Sequence, residues 1–125
     1  MPLREIPREE WTAFFDSFSR QHAGWLSTVE VFRPSVGAQV EVREQPLGGI
    51  RAELKGDKRD SISILVGNTS GARVTHMIDA PLHVRLKENR EGAHEALQIE
   101  SESGVTTLLF RTTVPLEVLD GYIAS

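Results

Sequence analysis

The sequence predicts an α+β fold in which an N-terminal amphipathic helix packs on a curled antiparallel meander sheet of about 7–8 strands. Aromatic residues at helical spacing precede Gly24, and short stretches of alternating apolar and polar residues follow it. The first pattern has a period of 3.6 residues and the second a period of two, which distinguishes a helix from strands that are buried on one side.

The predicted helix covers approximately residues 7–23. Four aromatic side chains repeat at positions i, i+3, i+4 and i+7, namely Trp11, Phe14, Phe15 and Phe18. These positions form one stripe, which must be buried against the rest of the chain. Pro7 suits a first helical turn, and Gly24 suits a left-handed C-terminal cap.

Strands are predicted from about residue 25 to residue 112. Each strand carries apolar residues on one face; in chain order these are Val29 and Val31, Val40 and Val42, Ile50, Ala52 and Leu54, Ile62, Ile64 and Val66, Val74, His76 and Ile78, Leu82, Val84 and Leu86, Leu97 and Ile99, and Leu108 and Phe110. Because the polar residues of nearly every strand project the other way, one face of the sheet should be wet and the other should pack on the helix.

Turn residues separate the strands. Residues 46–48, Pro-Leu-Gly, predict a compact turn that joins the flanking strands as a hairpin. Pro81 prevents an uninterrupted central strand at its position. About eight strands exceed the usual four to six, so strong curling is expected, and a partly closed barrel plugged by the helix is an open alternative. Residues 115–122 predict a short C-terminal tail, either helical or irregular.

The last hairpin gives an internal test of register. A tight turn centred on residues 103–104 would pair Ile99 with Leu108 and Leu97 with Phe110 on one face. Apolar residues then oppose apolar residues, which supports an antiparallel meander at this end of the chain.

Composition limits the class of protein. The 125 residues, 39% hydrophobic and 26% charged, fit one soluble domain spanning residues 1–125. A net charge of −4 with interspersed signs argues against a nucleic-acid or anionic-membrane surface. The absence of cysteine excludes disulfides and thiolate chemistry. No apolar run reaches membrane-span length and no signal-peptide core is present, so the expected location is the cytoplasm.

The only clustered candidates for chemistry are His76, Asp79 and His83, spaced H-x2-D-x3-H around Pro81. These residue types ligate zinc or manganese. On an unbroken strand His76 would face inward and His83 outward, whereas a turn at Pro81 would re-aim both. An ordinary core or edge histidine is the preferred interpretation, a metal site is the alternative, and no cofactor is expected.

Other catalytic signatures are absent from the sequence. No G-x-S-x-G motif is present, and no glycine-rich stretch opens a helix where phosphate would bind. His22 is interpreted as a partner for the negative end of the helix dipole. His94, between Glu91 and Glu95, is interpreted as part of a solvated surface turn.

Several segments together carry a family resemblance; they are Ile6-Pro7-Arg8-Glu9-Glu10-Trp11, residues 14–19, His22, Gly24, Thr75-His76, Pro81 and Ala96-Leu97-Gln98-Ile99-Glu100-Ser101. The chain resembles a small bacterial family of stand-alone proteins that is described only as a domain of unknown function, DUF5335. The resemblance spans nearly the whole chain, and its motifs are helix and turn signatures. It implies no activity, substrate or cofactor.

The missing catalytic motifs and the evenly charged acidic surface favour a non-catalytic binding or interaction module. Such a module would pair through exposed strand edges as a homodimer, or would hold a small apolar ligand on the concave side of the sheet. The alternative function is a metal-assisted or histidine-based enzyme centred on His76, Asp79 and His83.

Overall fold

The computed structural model describes residues 3–56, 59–67, 73–90 and 92–110. In chain order the elements are β1 (Leu3–Ile6), a 3₁₀ turn (Arg8–Glu10), α1 (Trp11–His22), β2 (Leu26–Arg33), β3 (Gly37–Glu53), β4 (Ser61–Val66), β5 (Val74–Asp79), β6 (Pro81–Glu88), β7 (His94–Ser101) and β8 (Val105–Phe110). The predicted tail at residues 115–122 lies outside the described residues. Within the described ranges, no helix is both long enough and apolar enough to cross a membrane.

The eight strands form one antiparallel sheet in the order β1-β6-β7-β8-β2-β3-β4-β5. The edge strands β1 and β5 do not pair with each other, so the sheet is not closed. It is nevertheless curled, because Ala80 alone separates β5 from β6 and the His76 Nε2 on β5 lies 3.5 Å from the Thr106 Oγ1 on β8. The prediction of an α+β fold with a curled meander sheet is confirmed.

Helix α1 packs its aromatic stripe on the concave side of this sheet. Trp11, Phe15 and Phe18 are fully buried, and Phe14 is partly buried against the same cluster. The sheet contributes the remaining core side chains, which include Val29, Val31, Ile62, Ile64, Val66, Val84, Leu86, Leu97, Ile99 and Leu108.

The helix also protects a strand edge. The second half of β3 pairs with β4 only, and the Ser19 hydroxyl accepts a hydrogen bond from the Ile50 N–H at 2.8 Å and donates one to the Ile50 carbonyl at 3.1 Å.

The hairpin predicted at residues 46–48 is wrong, because strand β3 continues through these residues. It runs without reversal for 17 residues, pairing first with β2 and then with β4. The turn-like residues instead lie where the strand changes partner: Leu26 pairs with Pro46, and the β3–β4 register shifts between Leu47 and Gly49. Proline and glycine there produce a bulge and a bend rather than a turn.

Two further differences concern register and strand number. In the β7–β8 hairpin, Leu97 pairs with Leu108 and Ile99 pairs with Thr106, so the predicted register was wrong by two residues. The inward-facing set is unchanged, because side chains alternate with a period of two. Strand β1, which pairs with β6, was not predicted because its four residues show no apolar alternation.

Gly104→Ala should lower the free energy of unfolding by about 1–3 kcal/mol. A Cβ atom at this position would lie 2.1 Å from the Phe32 carbonyl oxygen, so the β2–β8 contact would have to open. Urea denaturation followed by circular dichroism would measure the loss. The Thr107→Ala substitution on β8, the strand that follows Gly104, is the control, and an equal loss in the two variants would contradict the steric explanation.

Candidate functional site

The described residues line an open groove of about 1070 Å³. It lies where the 3₁₀ turn, the loop before β4 and the β5–β6 corner meet. We call it the corner groove; its lining residues are Arg8, Trp11, Gly56, Arg59, Asp60, Ala80, Pro81, Leu82 and Glu102.

Asp60 holds the walls of the corner groove together. The residue is only 5% exposed. Its Oδ2 accepts hydrogen bonds from the Arg8 Nε at 3.1 Å and Nη2 at 2.7 Å, and its Oδ1 accepts one from the Gly56 N–H at 2.7 Å. Its backbone carbonyl accepts a bond from the Ala80 N–H at 3.0 Å. Three segments distant in sequence are therefore fixed by one residue.

The surroundings of Asp60 keep its carboxyl group ionised. The Arg8 guanidinium, which hydrogen-bonds the carboxylate, and the Gly56 N–H hold the pKa of Asp60 below its ordinary value. Both interactions favour the charged form, and together they outweigh the opposing effect of burial. Asp60 is thus a fixed structural anion rather than a group that exchanges protons near neutral pH.

The corner of the groove contains a strained residue. Ala80 has a φ of 51°, in the left-handed region that costs a non-glycine residue about 1–2 kcal/mol. The hydrogen bond from Ala80 to the Asp60 carbonyl and the fixed φ of Pro81 hold the chain in this conformation. Strain of this kind tends to occur at ligand-binding and catalytic sites.

A second group of titratable side chains lies at the C-terminal end of the helix. We call His22 and His94 the histidine pair, since the His94 Nδ1 and the His22 Nε2 are 2.9 Å apart. The His22 Nδ1 lies 2.8 Å from the Phe18 carbonyl, which can only accept, so this nitrogen donates. In neutral His22 the Nε2 then accepts the bond from His94.

The histidine pair is enclosed by aromatic rings. His22 is 2% exposed and stacks on Phe18 with ring centroids 4.0 Å apart. His94 is the first residue of β7 and is half-buried, so its interpretation as part of a solvated turn was wrong. The His94 Nε2 lies 3.7 Å from the Glu88 Oε2, and the Glu88 Oε1 lies 3.6 Å from the Arg4 Nε.

Burial sets the protonation of the pair. It lowers the pKa of His22, aided by the nearby His94 and opposed by the bond to the Phe18 carbonyl. Burial also lowers the pKa of His94, although Glu88 opposes this shift. Both rings are therefore neutral at pH 7.

Two of the three residues predicted as metal ligands line one small cavity. His76 on β5 is half-buried and lies with Asp79 in a small cavity of about 130 Å³, where burial lowers the pKa of His76. His83 instead lies on the exposed side of β6, with its Nδ1 3.0 Å from the Glu5 Oε2. The described ranges contain no group of three or more His, Cys, Asp or Glu side chains arranged to hold a metal ion. The metal assignment stays a prediction from spacing.

Arg8, Arg59 and Asp60 were not predicted as site residues. The only signals near them were the charged turn at residues 56–60 and the strand interruption at Pro81. Arg8 and Asp60 are 52 positions apart, and no short motif joins them.

Comparisons with known proteins identify a family without an assigned activity. A model described as a family of unknown function, DUF5335, matches residues 3–118. An uncharacterized protein from Aquifex aeolicus (strain VF5) is 26% identical over 117 residues, which cover 93% of this chain and 98% of that protein. No solved structure matches the chain. Since the family model covers nearly the whole sequence, this chain belongs to the DUF5335 family of unknown function.

Proposed function

We propose that the protein is a non-catalytic, cytoplasmic binding module that holds a small molecule in the corner groove. The observation that carries the proposal is a groove of about 1070 Å³ whose walls are fixed by a buried, fully bonded Asp60. Small-molecule sites are usually preformed concavities that combine apolar walls with a few fixed polar groups. Trp11, Pro81 and Leu82 provide the apolar walls here.

The chemistry of the lining favours binding over catalysis. Its described side chains include no hydroxyl, imidazole or amine, and its carboxylates are Asp60 and Glu102, of which Glu102 already has an interaction partner. The Asp60 carboxylate accepts bonds on both oxygens, and its lowered pKa makes it a weak base at neutral pH. Homodimer formation through a sheet edge and metal-dependent catalysis stay predictions from the sequence.

A fragment screen by two-dimensional NMR tests the proposal. We expect bound fragments to shift the resonances of the corner groove, with Ala80 and Leu82 among the most affected. Leu82→Trp should fill part of the groove and weaken the hits. Leu109→Trp replaces another exposed leucine, on β8 outside the groove, and should leave them unchanged.

Two results would overturn this assignment. One is a set of fragments whose shifts cluster away from the corner groove. The other is binding that Leu82→Trp and Leu109→Trp leave equally intact, provided that both variants melt cooperatively.

A further inference from the structure

We propose that the ligand of the corner groove is a small organic carboxylate, with its charged head on Arg59 and its apolar body against Pro81 and Leu82. This inference rests on the proposed function and adds a class of ligand to it. Its basis is an arginine that has no acidic partner among the described residues, beside a leucine that is turned out of the core.

Arg59 has unused hydrogen-bonding capacity. Its Nη2 donates to the Lys55 carbonyl at 3.1 Å, and within the described residues it forms no ion pair with an acidic side chain. A guanidinium carries five N–H donors arranged in a planar fork, which matches the two oxygens of a carboxylate. Among the described residues only the Lys55 carbonyl uses this fork, which leaves its other donors for a ligand in the groove.

Arg8 contributes a second, partly used guanidinium to the same groove. Its Nε and Nη2 both bond the Asp60 Oδ2, and its Nη1 has no bond to the described residues. The Asp60 carboxylate binds Arg8, whereas Arg59 has no ion-pair partner among the described residues, although Glu102 also lines the groove. We therefore place the head of the ligand on Arg59, with Arg8 as a flanking donor.

Leu82 supplies the apolar side of the site. Val84 and Leu86, at the next positions of the same parity on β6, are fully buried, whereas Leu82 is 47% exposed. The reason is a bulge: Pro81 pairs with Ser101 and His83 with Glu100, which leaves Leu82 as the extra residue. Bulges often re-aim a side chain next to a binding site. This one turns a leucine into the corner groove, beside Pro81.

The combination selects an amphiphilic anion. Arg59 alone would hold any small anion weakly in water, and Leu82 alone would hold any apolar group. Only a molecule that carries both features uses both walls at once. The planar fork favours a carboxylate as the head, because two parallel N–H···O bonds fix its orientation.

Isothermal titration with three probes tests the inference; these are octanoate, 1-octanol and acetate. We expect octanoate to bind more tightly than 1-octanol, which keeps the body without the charge, and than acetate, which keeps the charge without the body. Raising the salt concentration should weaken octanoate binding, since part of the attraction is between exposed charges.

Matched arginine variants locate the site. Arg59→Gln should weaken octanoate binding about tenfold or more, because it removes charged hydrogen bonds. Arg43→Gln changes another exposed arginine, on β3 outside the groove, and should have no effect. Thermal melts of both variants would establish that they fold.

The outcomes separate this inference from the proposed function. Equal affinities for octanoate and 1-octanol, or equal octanoate affinities in Arg59→Gln and Arg43→Gln, would overturn the carboxylate assignment. Neutral fragments bound in the corner groove alongside a silent octanoate titration would also overturn it while leaving the binding module intact. If neither fragments nor octanoate bind there, both proposals fail.

Discussion

Phe18→Ala should lower the free energy of unfolding by about 3–5 kcal/mol, the range expected for truncation of a buried phenylalanine. Phe18 is 2% exposed. Its ring lies 5.4 Å from Phe14 and 5.6 Å from Phe110, measured between centroids, and it stacks on His22. Removing it would leave a cavity between α1 and β8 that the surrounding side chains cannot fill without moving. Equilibrium urea denaturation, followed by circular dichroism, would measure the change.

Phe32→Ala provides the matched comparison. Phe32 lies near the end of β2 and is 46% exposed, so the same truncation should change stability by less than about 0.5 kcal/mol. Similar losses in the two variants would contradict the assignment of Phe18 to the core, as would a loss below about 1 kcal/mol in Phe18→Ala.

The helix was predictable because its pattern is local and strong. Trp11, Phe15 and Phe18 recur at helical spacing, and each is buried where the pattern places it. The inward-facing residues of most strands were predictable for the same reason, since alternation with a period of two survives an error in register. The β7–β8 hairpin shows this: its register was wrong by two residues, yet Leu97 and Leu108 still point into the core.

The course of β3 was not predictable from local signals. A Pro-Leu-Gly-Gly stretch suits a reversal, and only the availability of two different partners shows that the chain continues. Along β3, pairing with β2 ends at Pro46 and pairing with β4 begins at Leu47. Long-range pairing therefore decided the outcome over turn propensity.

The corner groove depends on contacts that the sequence does not encode in any short motif. The ion pair of Arg8 with Asp60 joins the N-terminal turn to the loop before β4. Ala80 adopts a positive φ at this corner. Alanine disfavours that conformation, so the residue type alone does not predict it. The spacing of His76 and His83 around Pro81 predicted a site at this corner, but neither histidine is among the residues that line the groove.

For the histidine pair, the sequence indicates the burial of one ring but not the contact between the two. His22 lies four positions after Phe18 and so continues the apolar stripe of α1, which indicates burial. Its partner His94 is 72 positions away, and only the folded sheet brings the two rings together.

His22→Ala should cost about 2–4 kcal/mol at pH 7, because it removes a buried ring and the acceptor for the His94 N–H. It should also weaken the dependence of stability on pH. Burial holds the pKa of His22 below its ordinary value, so the folded protein resists protonation while the unfolded chain takes up a proton near pH 6.5. The stabilisation is therefore complete above about pH 6.5 and is lost as the pH falls towards the lowered folded pKa.

Urea denaturation at several pH values between about 7.5 and 5 would measure this dependence. Wild-type stability should fall with pH over that range, and His22→Ala should fall less steeply. Some slope should remain, because burial also lowers the pKa of His94 and His76. Gln21→Ala, which changes the exposed neighbour of His22, should keep the wild-type slope. If His22→Ala also kept that slope, His22 would titrate alike in the folded and unfolded states, and the buried, neutral histidine pair would have to be abandoned.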